Sequence, residues 1–112
     1  MKYFTCVAIA LLATAAPLAA RACSADVELV GSEAAGTDVL NSFRLLQKAG
    51  GTVTISFDAT TAIRHGSRVY RSTSSYAESL SGTSRIATLP EIATQDVDEI
   101  VSVKISNVRC TP

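Results

Sequence analysis

Between Thr37 and Ala49 the apolar side chains recur at Val39, Leu40, Phe43, Leu46 and Ala49, the three-four spacing that lines one face of a helix. Thr37 or Asp38 can cap the first turn, Gly50 can supply a left-handed closing residue, and Lys48 suits the carboxyl end of the helix dipole. After Gly51 the period becomes two. Val53, Ile55 and Phe57 share one side, and Thr52, Thr54, Ser56 and Asp58 share the other. The pattern predicts a helix over 37–49 laid across a strand that starts at Thr52.

The rest of the chain reads mostly as short strands. Asp26 to Val30 is a first strand closed by Gly31, with a loop to Thr37. Ala59 to Gly66 is a connection, and Ser67 to Ser72 a strand that pairs antiparallel with the one beginning at Thr52. Thr73 to Ser84 is so rich in Ser, Thr and Gly that a surface loop is expected. Arg85 to Leu89 is another short strand, Pro90 to Asp98 a connection, and Glu99 to Arg109 the final strand. In that strand Val101, Val103 and Ile105 oppose Ser102, Lys104 and Ser106, and the phase slips at Asn107-Val108, predicting a bulge. One helix among several strands predicts an α+β fold with a largely antiparallel sheet.

The amino terminus changes what counts as the folded chain. Lys2, an apolar run from Val7 to Ala16, and small residues around Ala20 to Ala22 have the order of a cleaved export signal over 1–22, leaving 23–112 as one small domain. Cys6 would leave with that segment. Cys23 and Cys110 then stand near the two ends of an exported chain, which predicts a disulfide between them and an approach of the first strand's start to the last strand's end. An antiparallel pairing of those two strands would provide that approach. Removing Lys2 and Arg21 leaves eight basic against ten acidic residues, near −2 overall, which argues against a general polyanion binder. Yet Arg44, Lys48, Arg64, Arg68, Arg71 and Arg85 fall in the middle, where only Asp58 and Glu78 oppose them.

The chemistry that the chain can support is restricted. One histidine, no CxxC pair and no carboxylates at ligand spacing predict no metal, and no glycine-rich phosphate loop is present, so no cofactor is expected. Asp96, Asp98 and Glu99 form an acidic knot that reads as a solvated turn. Among many serines, only His65 is available as a base.

Several local stretches match a known arrangement. Asp38-Val39 opens the predicted helix; Gly66-Ser67-Arg68-Val69-Tyr70 resembles a Gly-x-Val-Tyr strand entry; Gly82-Thr83-Ser84-Arg85-Ile86 matches a Gly-x-x-Arg-hydrophobic step; and Val108-Arg109-Cys110-Thr111 resembles a closing Val-x-Cys-Thr. With cysteines at both ends, the chain resembles the small fungal guanyl-specific ribonucleases and the ribonuclease-like secreted effectors (RALPH type) of plant-pathogenic fungi. The resemblance implies a microbial ribonuclease-like fold and carries the family's arginine onto Arg85. It also implies a glutamate on the second strand and a histidine on a late strand, and neither is present. Because in-line cleavage of RNA needs a base and an acid, an inactive fold is expected. His65 and Asp58 are what remains of an acid-base pair.

Three functional expectations follow. The first is a secreted, effector-like protein, inactive as a ribonuclease, that binds a host protein or RNA to modulate plant immunity, as a monomer not inserted in a membrane. Arg64, Arg68, Tyr70, Arg71, Tyr76 and Arg85 are its candidate contacts. The second is an active secreted ribonuclease or wall-directed hydrolase. The third is a small six-stranded sandwich of the MAX effector type, which would turn the predicted helix into a strand.

Overall fold

The computed structural model describes residues 23–48 and 50–112. The export-signal expectation, with Cys6, lies outside them. Six strands are formed: β1 (Ala25–Ala35), β2 (Asp38–Gln47), β3 (Thr52–His65), β4 (Arg68–Ser81), β5 (Ser84–Ile92) and β6 (Glu99–Thr111). They pair into two antiparallel three-stranded sheets: sheet A, in the order β1-β2-β5, and sheet B, in the order β4-β3-β6. The α+β expectation, with a helix on a ribonuclease-like sheet, is overturned. No helix occurs among the described residues, and the fold is an all-β sandwich.

The segment expected as a helix is β2, and its buried face explains the error. Val39, Asn41, Phe43, Leu45 and Gln47 alternate inward, while Leu40, Ser42, Arg44 and Leu46 lie half-buried on the opposite side. Two amides interrupted the apolar period of two, and Leu40 and Leu46 on the far face completed a false period of 3.6. Both amides are tied inside. Asn41 Nδ2 donates to Thr61 Oγ1 at 3.0 Å and its Oδ1 accepts from Ser32 Oγ at 2.6 Å. Gln47 Nε2 donates to the carbonyls of Gly51 (2.9 Å) and Gly82 (2.6 Å), clasping two turns together.

Strand β4 corrects a second expectation, since the stretch from Thr73 to Ser84 is strand up to Ser81 rather than a loop. Its inward positions include Ser72, Ser74 and Tyr76, whose hydroxyls surround one carboxylate. Glu91 of β5 is only 3% exposed, and its Oε2 accepts from Ser72 (2.8 Å) and Ser74 (2.7 Å). The Tyr76 hydroxyl lies 3.2 Å from Glu91 Oε1 and 3.0 Å from the Pro90 carbonyl. Polar side chains satisfied in this way are tolerated in a core, whereas the same groups without partners would be expensive.

This polar belt divides the apolar interior. On one side Phe43, Leu45, Val53, Ile55, Phe57, Ala59, Leu80 and Ala87 form the main cluster, with Phe43 and Phe57 packed edge-on at 5.0 Å between ring centres. On the other, Val39, Ile63 and Ala93 form a smaller one. Burying a side chain such as Phe57 is worth about 1.5–3 kcal/mol relative to leaving it in water, so the main cluster carries most of the cohesion.

The hairpins and edges complete the frame. Gly36 and Gly66, at φ +67° and +63°, each take the first position of a two-residue turn, where a side chain would be strained. β3 and β4 are antiparallel neighbours, as expected, but the expected connection from Ala59 to Gly66 is strand as far as His65, and the pairing runs without a register shift from Thr52/Ser81 to His65/Arg68. The bulge expected at Asn107-Val108 is present too: the β3–β6 register slips there and Asn107 has φ +54°. The disulfide joins Cys23 to Cys110 with Cα atoms 5.5 Å apart. The start of β1 and the end of β6 therefore meet, but the two strands are not paired; they lie in different sheets, and the bond crosses between sheet edges.

Candidate functional site

The outer face of sheet B is defined by alternation and register. From Thr54 to Thr60 the even-numbered side chains of β3 point away from the core, and each lies beside an odd-numbered residue of β4 and a residue of β6. One row holds Ser75, Asp58 and Ser106; the rows on its two sides hold Thr73, Thr60 and Lys104, and Ala77, Ser56 and Arg109. Arg71 lies beyond Thr73, in the row of Ala62 and Ser102. Hydroxyls dominate this surface and bond across strands, as in Thr60 with Thr73 (2.8 Å) and Thr52 with Ser81 (2.9 Å). Four cations, Arg64, Arg71, Lys104 and Arg109, face two carboxylates, Asp58 and Glu99. Glu99 is taken by an ion pair with Arg64. Asp58 accepts hydrogen bonds from Asn107 Nδ2 (2.7 Å) and Ser75 Oγ (2.7 Å); these, with the nearby Arg109 charge, hold its carboxyl below the usual carboxylate range. Among the described residues, Arg71, Lys104 and Arg109 make no ion pair.

The outer face of sheet A has the opposite sign. Among the described residues, Asp26, Glu28, Glu33 and Asp38 stand there against Arg44, which pairs with Glu28 at 3.2 Å, and Lys48, which lies beside Asp26 just past the end of β2. Exposed Ile86 and Ile92 and half-buried Leu40 and Leu46 make it more apolar. Gly31, Ser32, Glu33, Leu40, Ser42 and Thr88 line a shallow depression of about 430 Å³ on this sheet. A second, of about 330 Å³, lies beside Gln47 and includes Asp26 and Lys48. Gln47 Oε1 is buried there without a partner. Nearly neutral net charge thus conceals two outer faces of opposite sign.

The residues singled out from sequence are distributed over several places. Asp58 and His65 lie on the same strand seven residues apart, about 23 Å at strand rise, and on opposite faces. Instead, His65 Nδ1 donates to the Asp96 carbonyl (3.0 Å) and lies 4.0 Å from Asp98 Oδ2, which also accepts from the Gly66 amide at 2.8 Å. The acidic knot therefore clamps the β3–β4 turn. Arg64, Arg68 and Arg71 gather near that turn, whereas Arg85 lies toward the other end of β4, donating to the Ser79 carbonyl (2.7 Å) and to Glu78 (3.1 Å). Both tyrosines point inward and are half-buried. Tyr76 packs on Phe57 at 5.4 Å, and burial, followed by the Glu91 charge, raises its hydroxyl pKa. Tyr70 packs against the smaller cluster. Neither offers a free ring on the cationic face.

Two members of that face, Lys104 and Arg109, escaped sequence reading because they lie some forty residues from Arg64 and Arg71 in the chain. Only the β3–β6 pairing brings them together. No group of His, Cys, Asp or Glu able to hold a metal ion occurs among the described residues. No helix long and apolar enough to cross a membrane occurs among them either. No protein-family model, curated protein or solved structure matches the chain.

Proposed function

We propose that this protein is an exported, disulfide-closed binding module, an effector of the small β-sandwich kind, which modulates plant immunity by docking the cationic face of sheet B on an acidic surface of a host protein. The supporting observation is the separation of charge. Arg71, Lys104 and Arg109 stand free of ion pairs among the described residues on one flat face, while the opposite face is acidic. Such a distribution accelerates encounter with an acidic partner and fixes which face meets it. A protein partner is favoured over RNA because Tyr70 and Tyr76 are turned inward, leaving this face without an aromatic platform for bases.

The test compares the protein with its Arg71→Glu/Lys104→Glu/Arg109→Glu variant, each delivered to leaf tissue before an oxidative burst is elicited. The wild type is expected to lower the burst, and the equally folded variant to leave it unchanged. A burst unaffected by either protein, or lowered equally by both, would sink the reading. RNA retention that weakens linearly with the logarithm of salt would move the assignment to nucleic acid.

A further inference from the structure

A strand at the edge of a sheet is a template for another strand, and three of the four edges here are blunted. β1 has a register break between Leu29 and Gly31, and β6 has two such breaks against β3. The disulfide also holds those two edges beside each other. β5 contains Pro90. β4 has none of these devices: it is fourteen residues long, with no proline and no bulge in its pairing to β3.

The free groups of β4 can be located from two observations. His65 and Arg68 close a two-residue hairpin, so the even residues of β4 bond to β3. Independently, Arg85 donates to the carbonyl of Ser79, so the odd carbonyls face outward. Ser79 is thereby occupied. The backbone groups of Val69, Arg71, Thr73, Ser75 and Ala77 have no further backbone partner among the described residues.

We infer that this edge pairs antiparallel with the same edge of a second copy, joining two B sheets into one six-stranded sheet about a twofold axis at Thr73. The free stretch from Val69 to Ala77 is centred on Thr73, so a twofold axis there maps it onto itself. Val69 then faces the partner copy's Ala77, Arg71 its Ser75, and Thr73 its Thr73. These five facing pairs can form about ten backbone hydrogen bonds, two per pair. The same register puts Arg68 opposite the other copy's Glu78, which also pairs with its own Arg85, at both ends, so the charges are complementary, and the uncharged stretch from Ser72 to Ser74 meets itself while Arg71 faces the neutral Ser75. The cationic outer faces of the two copies would lie side by side. This pairing replaces the monomer expected from sequence and does not depend on the functional reading above.

The test is sedimentation velocity of the oxidised protein, recovered from the medium of an expressing host, over increasing concentration. A monomer-dimer equilibrium is expected for the wild type. Thr73→Pro, which removes an outward amide that β3 does not use, should remain monomeric with an unchanged circular-dichroism spectrum. Arg68→Glu should weaken association roughly tenfold by placing like charges together twice. Adding Glu78→Arg to that variant should restore association. A wild type that stays monomeric at about millimolar concentration, or folded Thr73→Pro protein that dimerises like wild type, would overturn the inference. Should Thr73→Pro not fold, the charge pair decides: association unaffected by Arg68→Glu would overturn it equally.

Discussion

At the scale of single residues, the buried carboxylate of Glu91 has most to reveal. Replacing it with alanine removes the acceptor of Ser72 and Ser74 and leaves the Tyr76 hydroxyl only the Pro90 carbonyl. Glu91→Ala should lower unfolding free energy by about 1–3 kcal/mol in urea titration, and Glu91→Gln by less, because an amide oxygen still accepts. Asp58 makes a prediction about pH. Its folded pKa is depressed, so its contribution is complete above the unfolded carboxylate pKa and is lost as pH falls through the lowered folded value. Asn107→Ala removes the largest cause of the depression. Acid unfolding followed by circular dichroism should then begin at higher pH than in the wild type. The same single-residue detail explains why activity was hard to read. Asp58 and His65 look like neighbours in a short segment, yet strand rise and alternation put them far apart and on opposite faces.

Among the strands, legibility depended on which side chains faced inward. The β3 face of Val53, Ile55 and Phe57 could be read because all three are apolar and alternate cleanly. β2 could not, since Asn41 and Gln47 occupy buried positions and only their contacts with Thr61, Gly51 and Gly82 reveal why. β4 was hidden for a related reason: Ser72 and Ser74 resemble loop residues until Glu91, contributed by another strand, is placed against them. Turn chemistry was more informative than it first looked. Gly36-Thr37 and Gly66-Ser67 are hairpin turns with glycine leading, and Gly66→Val should cost about 1–3 kcal/mol by forcing a β-branched side chain into positive φ. Thermal unfolding of that variant, compared with Ser67→Val at the following turn position, isolates the backbone contribution.

For the whole molecule, the pairing of Cys23 with Cys110 was legible because the two stand near the ends of the chain expected after export, where they would be the two cysteines left. The assembly of the cationic face was not, because it requires knowing that β6 returns beside β3. Reducing the bond, or making Cys23→Ser/Cys110→Ser, should remove up to roughly 4–5 kcal/mol by the loop-entropy argument, read as a lower urea midpoint. The far-ultraviolet spectrum of the oxidised protein should lack a helical signal. The bond between Cys23 and Cys110 also makes 23–110 a covalent ring. A protease that cuts the backbone once between those residues therefore releases nothing: the nicked chain stays in one piece, with its strands still registered, until a reductant separates the halves.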